Sequence, residues 1–124
     1  MTTAKLFGSA GFDAFVSGFP GVTLVDQWES RVAKVCDKVF ALITLNENEG
    51  RMTVKCSEES FEILTALVGI DQAPYFAKRK WVSITDGSPL RPEEIEHYVR
   101  RSYDLVAAGL TKKTRIELGI VPLT

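Results

Sequence analysis

Histidine is nearly missing from this chain of 124 residues, with His97 as its one copy. A lone imidazole without a partner base, acid or ligand set makes neither a catalytic triad nor a zinc centre. His97 is expected on the polar side of a helix, near Glu93 and Arg101. Cysteine is scarce too. Cys36 and Cys56 fall short of the four ligands of structural zinc, and no specific activating base marks Cys36 as a nucleophile. Gly-Ser occurs at Gly8-Ser9 and Gly87-Ser88, but the Gly-x-Ser-x-Gly elbow and Gly-rich phosphate loops are absent. The acids Asp26 and Glu29 flank Trp28, an ordinary arrangement beside a turn. No apolar run approaches the roughly 18 residues that span a bilayer. Met1-Thr2-Thr3-Ala4-Lys5 lacks the charged patch and apolar stretch of a secretory signal, so a cytoplasmic location is expected. Together these absences point away from an enzyme, a cofactor, a metal site or a membrane span, and toward a protein that binds.

Charge is balanced: 15 Lys and Arg against 16 Asp and Glu give a net −1. That argues against a strongly basic nucleic-acid protein but leaves room for local basic patches. With 45% hydrophobic and 25% charged residues, the composition is that of an ordinary globular protein. The length suits one domain, no linker or repeat interrupts it, and residues 1–124 are read as a single unit.

Phe12, Phe15, Val16 and Phe19 recur at helical spacing and predict a helix from Ser9 to Phe19, stopped by Pro20-Gly21. Val22 to Trp28 and Arg31 to Cys36 read as strands. A turn at Asp37-Lys38 leads into Val39 to Leu45, the most apolar segment and the expected central strand. Asn46 to Gly50 return the chain into Arg51 to Ser57. There Met52, Val54 and Cys56 face one way, and Arg51, Thr53 and Lys55 the other, as in an antiparallel sheet with one wet face. A second helix is expected from Glu58 to Val68, capped by Ser57 and buried along Phe61, Leu64, Leu67 and Val68. After a loop from Gly69 to Tyr75 comes a strand from Trp81 to Thr85. The longest helix opens at Pro92 and runs to Ala108, with Gly109 as its stop. Thr111 to Leu118 add one or two basic helical turns. The order is α-β-β-β-β-α-β-α, an α+β architecture in which helices cover one face of an antiparallel sheet of about five strands. In a meander Cys36 and Cys56 would lie about 9–10 Å apart, beyond the roughly 7 Å limit of a disulfide. Both are expected to be buried free thiols.

Several segments taken in order resemble the MmcQ/YjbR family. They are Pro20-Gly21, Lys38-Val39-Phe40-Ala41, Val54-Lys55-Cys56 before an acidic helix start, Lys78-Arg79-Lys80-Trp81, Ser102-Tyr103-Asp104-Leu105-Val106 and Gly109-Leu110-Thr111-Lys112-Lys113. The resemblance covers roughly Phe19 to Lys113. It implies a small bacterial α+β domain with a fold likened to frataxin (CyaY) and to type III secretion chaperones. It also implies a DNA-binding label drawn by analogy with the double-wing domain of a phage activator. Lys80 stands where the family often has histidine, and Val82 where it often has a polar residue. An imidazole role therefore does not carry over, while an electrostatic one does.

The segment Lys78-Arg79-Lys80-Trp81 joins three positive charges to an aromatic ring, the pairing that phosphates and bases or sugars call for. By strand parity Trp81 shares its side with Ser83, and Lys55 and Arg51 are its expected neighbours. Lys112, Lys113 and Arg115 form a second basic cluster. Bland readings stand beside these: basic residues keep an edge strand soluble, a tryptophan covers a core corner, and cations complement a helix C-terminus. Were both clusters to touch one duplex, about four phosphates would be neutralised, with a log–log salt slope near −3 to −4. DNA without sequence specificity is thus the expected partner, through Lys55, Lys78, Arg79, Lys80, Trp81, Lys112, Lys113 and Arg115. The alternative is a module that docks a partner protein or an identical subunit.

Overall fold

Glycines and prolines punctuate the chain into short elements, and a computed structural model describing residues 6–27, 29–45, 50–73 and 80–120 shows what each becomes. Phe12 and Val16, four apart, make Ser9–Val16 a helix (α1) with both side chains fully buried. It stops short of Phe19, because the residue before a proline is pushed out of helical geometry. Phe19 is nevertheless buried, packed edge-on to Phe15. Four strands follow: β1 (Val22–Gln27), β2 (Ser30–Val35), β3 (Lys38–Leu45) and β4 (Gly50–Lys55). Then come α2 (Glu58–Thr65), β5 (Ile70–Gln72), β6 (Trp81–Thr85), α3 (Pro92–Ala107) and α4 (Lys112–Leu118). Ser57 caps α2, its Oγ accepting the Ser60 N–H at 3.1 Å.

The predicted α+β order holds, with one strand more than expected. Ile70–Gln72, inside the segment read as a loop, pairs with β6. The sheet therefore has six strands in the order β1-β2-β3-β4-β6-β5, all neighbours antiparallel. One hydrophobic cluster joins the helices to one side of this sheet, through Phe12, Phe40, Ile43, Leu64, Ile84 and Ile95 among others. Arg31 fastens α1 to β2, donating from Nε and Nη2 to the two carboxylate oxygens of Asp13 at 2.9 and 2.8 Å.

Two expectations about burial need correction. Val68 is 83% exposed, because α2 ends at Thr65 and the chain leaves the helical period before reaching it. Cys36 is exposed and only Cys56 is buried. Cys36 (φ 50°) and Asp37 (φ 64°) both take the left-handed conformation that a two-residue hairpin turn demands, which leaves the thiol outside the sheet. Burial pushes the Cys56 thiol up to about 11.

The apolar run in β3 hides a bulge. Ala33 pairs with Ala41 and Lys34 with Val39, so Phe40 is an extra residue without a partner in β2. A bulge lets two successive side chains fall on one side. Phe40 thus joins Ala41 in the core, its ring 5.2 Å from that of Tyr103 and 6.1 Å from that of Phe19. Pairing between β3 and β4 stops just there, at Ala41–Val54. The next step belongs to a side chain of α3, which lies across both strands. Ser102 Oγ accepts the Lys55 N–H at 2.8 Å and donates to the Phe40 carbonyl. The next residue along, Tyr103, donates from its hydroxyl to the Pro20 carbonyl, and burial raises the pKa of this phenol, helped by Asp104 and opposed by Arg100.

Ser102 is fully buried, so Ser102→Ala leaves a buried donor and a buried acceptor without their bridge. The expected loss is about 2–3 kcal/mol in urea denaturation; a loss under about 0.5 kcal/mol would mean that the strands close over the gap. In native protein one thiol, Cys36, is expected to react quickly with an aromatic disulfide reagent, and the second only after unfolding.

Candidate nucleic-acid interface

Parity on β4 and β6 fixes the geometry. Lys55 is the direct cross-strand partner of Trp81, Thr53 of Ser83 and Arg51 of Thr85. These six side chains lie on the sheet face away from the core cluster. In directly opposed positions of this kind Cβ atoms stand about 4.5–5.5 Å apart, so the Lys55 stem and the indole are immediate neighbours. Arg51 completes the column and donates from Nη1 to Ser83 Oγ at 3.3 Å.

The rest of that face is not the wet surface that alternation implied. Thr53 is 7% and Ser83 2% exposed, and in the same row across the sheet Val32 and Leu42 are also buried. Lys55 and Trp81 at one end of the column and Arg51 at the other are half-buried, and Asp71, the β5 partner of Ser83, is exposed on the same face. Strand alternation reports a side, not an exposure.

Lys80 is exposed and adopts φ 86°, a region that side chains with a Cβ rarely enter. Its carbonyl accepts the Cys56 N–H at 2.6 Å, and the Trp81 carbonyl accepts the Ala73 N–H at 3.0 Å. The peptide at the start of β6 is thus held from both sides while Lys80 absorbs the strain. Among the described residues neither the Lys55 nor the Lys80 ammonium forms an ion pair. Lys78 and Arg79 lie outside the described residues.

Sequence reasoning missed a further cation. Lys34 pairs with Thr23 and with Val39, which puts it on the same face and at the same end, two strands from Lys55. That separation is about 9–10 Å. The signal was present: Ala33 and Val35 are buried and Lys34 between them is half-buried, the parity argument already applied to β4.

The second basic cluster lies on α4. Leu118 of α4 lies against Gly21, where an added Cβ would stand 3.1 Å from its Cδ1. That places the C-terminal end of the helix beside the entry to β1, a strand three spacings from β4. Lys112 and Lys113 are exposed. Arg115 is engaged otherwise: its Nη1 donates to the carbonyls of Ala108 at 3.2 Å and Leu110 at 2.8 Å, closing the turn between α3 and α4. His97 is exposed and packs edge-on against Tyr98, 5.2 Å between ring centres. Among the described residues no group of three or more His, Cys, Asp or Glu is arranged to hold a metal ion, and no helix is long and apolar enough to cross a membrane.

Comparison with known proteins agrees with this architecture. The YjbR family model matches residues 17–105. The crystal structure of a Deinococcus radiodurans protein with the family-model domain DUF419 superposes with a TM-score of 0.83 at 25% identity, covering 97% of this chain and 93% of that one. A Pseudomonas syringae protein of known structure shares the fold, with a TM-score of 0.66 at 19% identity over 79% of this chain and 97% of its own. No curated protein matches.

The strain at Lys80 is open to measurement. Lys80→Gly is expected to raise stability by about 1 kcal/mol in urea denaturation, because glycine enters positive φ without penalty. Lys80→Ala, which keeps the Cβ, is expected to give no such gain. Equal stability of the two variants would show that the backbone here is unstrained.

Proposed function

This chain belongs to the YjbR family, and on that premise we propose that it is a DNA-binding protein without sequence specificity, acting through the basic, aromatic end of its sheet. The observation that carries the reading is the cross-strand pairing of Lys55 with Trp81, with Lys80 exposed beside them and Lys34 on the same face. In sequence, Lys78 and Arg79 lead directly into this group. Ammonium groups held beside an indole suit a sugar-phosphate strand: the charges meet phosphates, and the ring packs on a sugar or base.

Recognition of sequence calls for planar, bidentate donors or acceptors placed in a groove, whereas Lys34, Lys55 and Lys80 act as point charges. Binding is therefore expected to be weak, with dissociation constants of about 10⁻⁴ to 10⁻⁶ M near physiological salt. The ligand is held, not transformed. Arg115 is engaged at the turn between α3 and α4 and is left out of this contact.

Fluorescence anisotropy with a labelled duplex over a range of salt concentrations tests the proposal. With about four phosphates neutralised, the log–log slope is expected near −3 to −4. Lys55→Glu with Lys80→Glu is expected to weaken binding at least about tenfold, roughly equally for unrelated sequences. No binding at about 50 mM salt, or an unchanged affinity in the double variant, would overturn the reading.

A further inference from the structure

A line of four residues crosses the sheet at the end that carries Lys55, on the face away from the core cluster. Lys34 on β2 pairs with Val39 on β3, and Lys55 on β4 pairs with Trp81 on β6. In the strand order β2-β3-β4-β6 the line reads cation, apolar, cation, aromatic. All four residues are half-buried, so each is fixed by its neighbours and keeps part of its surface in water. Three strand spacings, about 14 Å, separate the first from the last. Lys80, exposed, precedes the indole in the chain. Asp71 is exposed on the same face but level with Ser83, in the next row.

The two forms of DNA meet such a line differently. A duplex keeps its base faces inside the stack, and its major groove, about 12 Å wide, admits a helix or a two-stranded ribbon. Laid on the face of a six-stranded sheet, it satisfies the lysines and leaves Val39 and Trp81 without partners of their own kind. A single strand exposes base faces between its phosphates. One base stacked on an aromatic ring is worth about fivefold to a hundredfold in affinity. Against this the duplex offers a higher charge density, one charge per about 1.7 Å of axis. That advantage is small here, because the net charge of −1 gives no attraction beyond the local patch and Asp71 repels the denser polyanion. Stacking outweighs charge. We propose that the ligand of this sheet end is single-stranded DNA, laid across β2, β3, β4 and β6 with phosphates at Lys34, Lys55 and Lys80 and a base stacked on Trp81. This rests on the DNA-binding reading above and specifies the form of the ligand.

Fluorescence anisotropy on the full chain, with a labelled oligothymidylate and a labelled duplex of equal length at about 50 mM salt, is the test. The single strand is expected to bind at least about fivefold more tightly. Trp81→Ala is expected to abolish the preference, weakening the single strand at least about fivefold and the duplex less than about twofold. Trp81→Phe, which keeps a ring, is expected to retain most of it, with circular dichroism confirming the fold of both variants. Trp28 and Trp81 are the two tryptophans of the chain, so in Trp28→Phe the remaining emission reports Trp81. That emission is expected to fall as oligothymidylate is added, a readout that leaves the contact itself unaltered. Binding of neither form overturns the DNA-binding reading and this inference together. A duplex bound as tightly as the single strand, a preference that survives Trp81→Ala, or Trp81 emission indifferent to saturating single strand overturns the inference alone and leaves the charge contact standing.

Discussion

At the bulge in β3, Phe40 turns into the core and the strand can no longer offer its backbone to β4 in register. The gap lies among buried residues, where an unpaired N–H and an unpaired carbonyl would each carry a desolvation cost. Ser102 closes it by accepting from Lys55 and donating to Phe40. Three requirements converge on that hydroxyl. The bulge must be present to aim the phenyl ring at Tyr103 and Phe19. Helix α3 must cross β3 and β4 at this level, and the end of β4 must hold still. A residue without a hydroxyl satisfies none of the polar demand, and a larger one would not fit where nothing is exposed.

The same bridge fixes the backbone from which Lys55 projects. Lys55 extends to one side of the sheet while its own N–H is held by a helix on the other side, and the next residue, Cys56, is tied to the Lys80 carbonyl. The basic end is thus built on backbone secured from α3, β3 and β6. Long lysine side chains stay adaptable at their tips, but their points of departure do not move. That combination fits contact with a polyanion whose phosphates repeat and whose sequence is immaterial.

Much of this was legible in the residues. The period of two in β4 and β6 gave the side of each residue and made Lys55, Arg51 and Trp81 neighbours before any pairing was known. The 3.6-residue period of α3 and its Pro92, Glu93, Glu94 opening placed the longest helix to within a residue. What escaped had physical causes. An uninterrupted apolar stretch such as Val39 to Leu45 has no alternation to break, so a bulge leaves no trace in it. Ile70–Gln72 is too short and too polar to show a period. Cys36-Asp37 fills a turn usually marked by glycine or asparagine, and Lys80 takes a conformation that its side chain argues against. Burial of Thr53 and Ser83 depends on what lies across the sheet, which no local pattern records.

Near-neutral net charge and the proposed cationic contact are compatible because the sheet separates Lys55 from the acids that follow it in the chain, although exposed Asp71 shares its face. Glu58 and Glu59 follow Lys55 within four residues, which in an unfolded chain would screen it. In the fold the alternation of β4 sends Lys55 to the face away from the helices, while Ser57 starts α2, a helix of the core side, immediately afterward. The acids at that helix start favour its positive end and lie across the sheet from the lysine. A count of charges along the sequence therefore understates the field at the end of the sheet, because neighbours in the chain are separated by the layer between them. Lys34 and Lys55, 21 positions apart in sequence, are closer in electrostatic effect than residues that nearly touch along the chain.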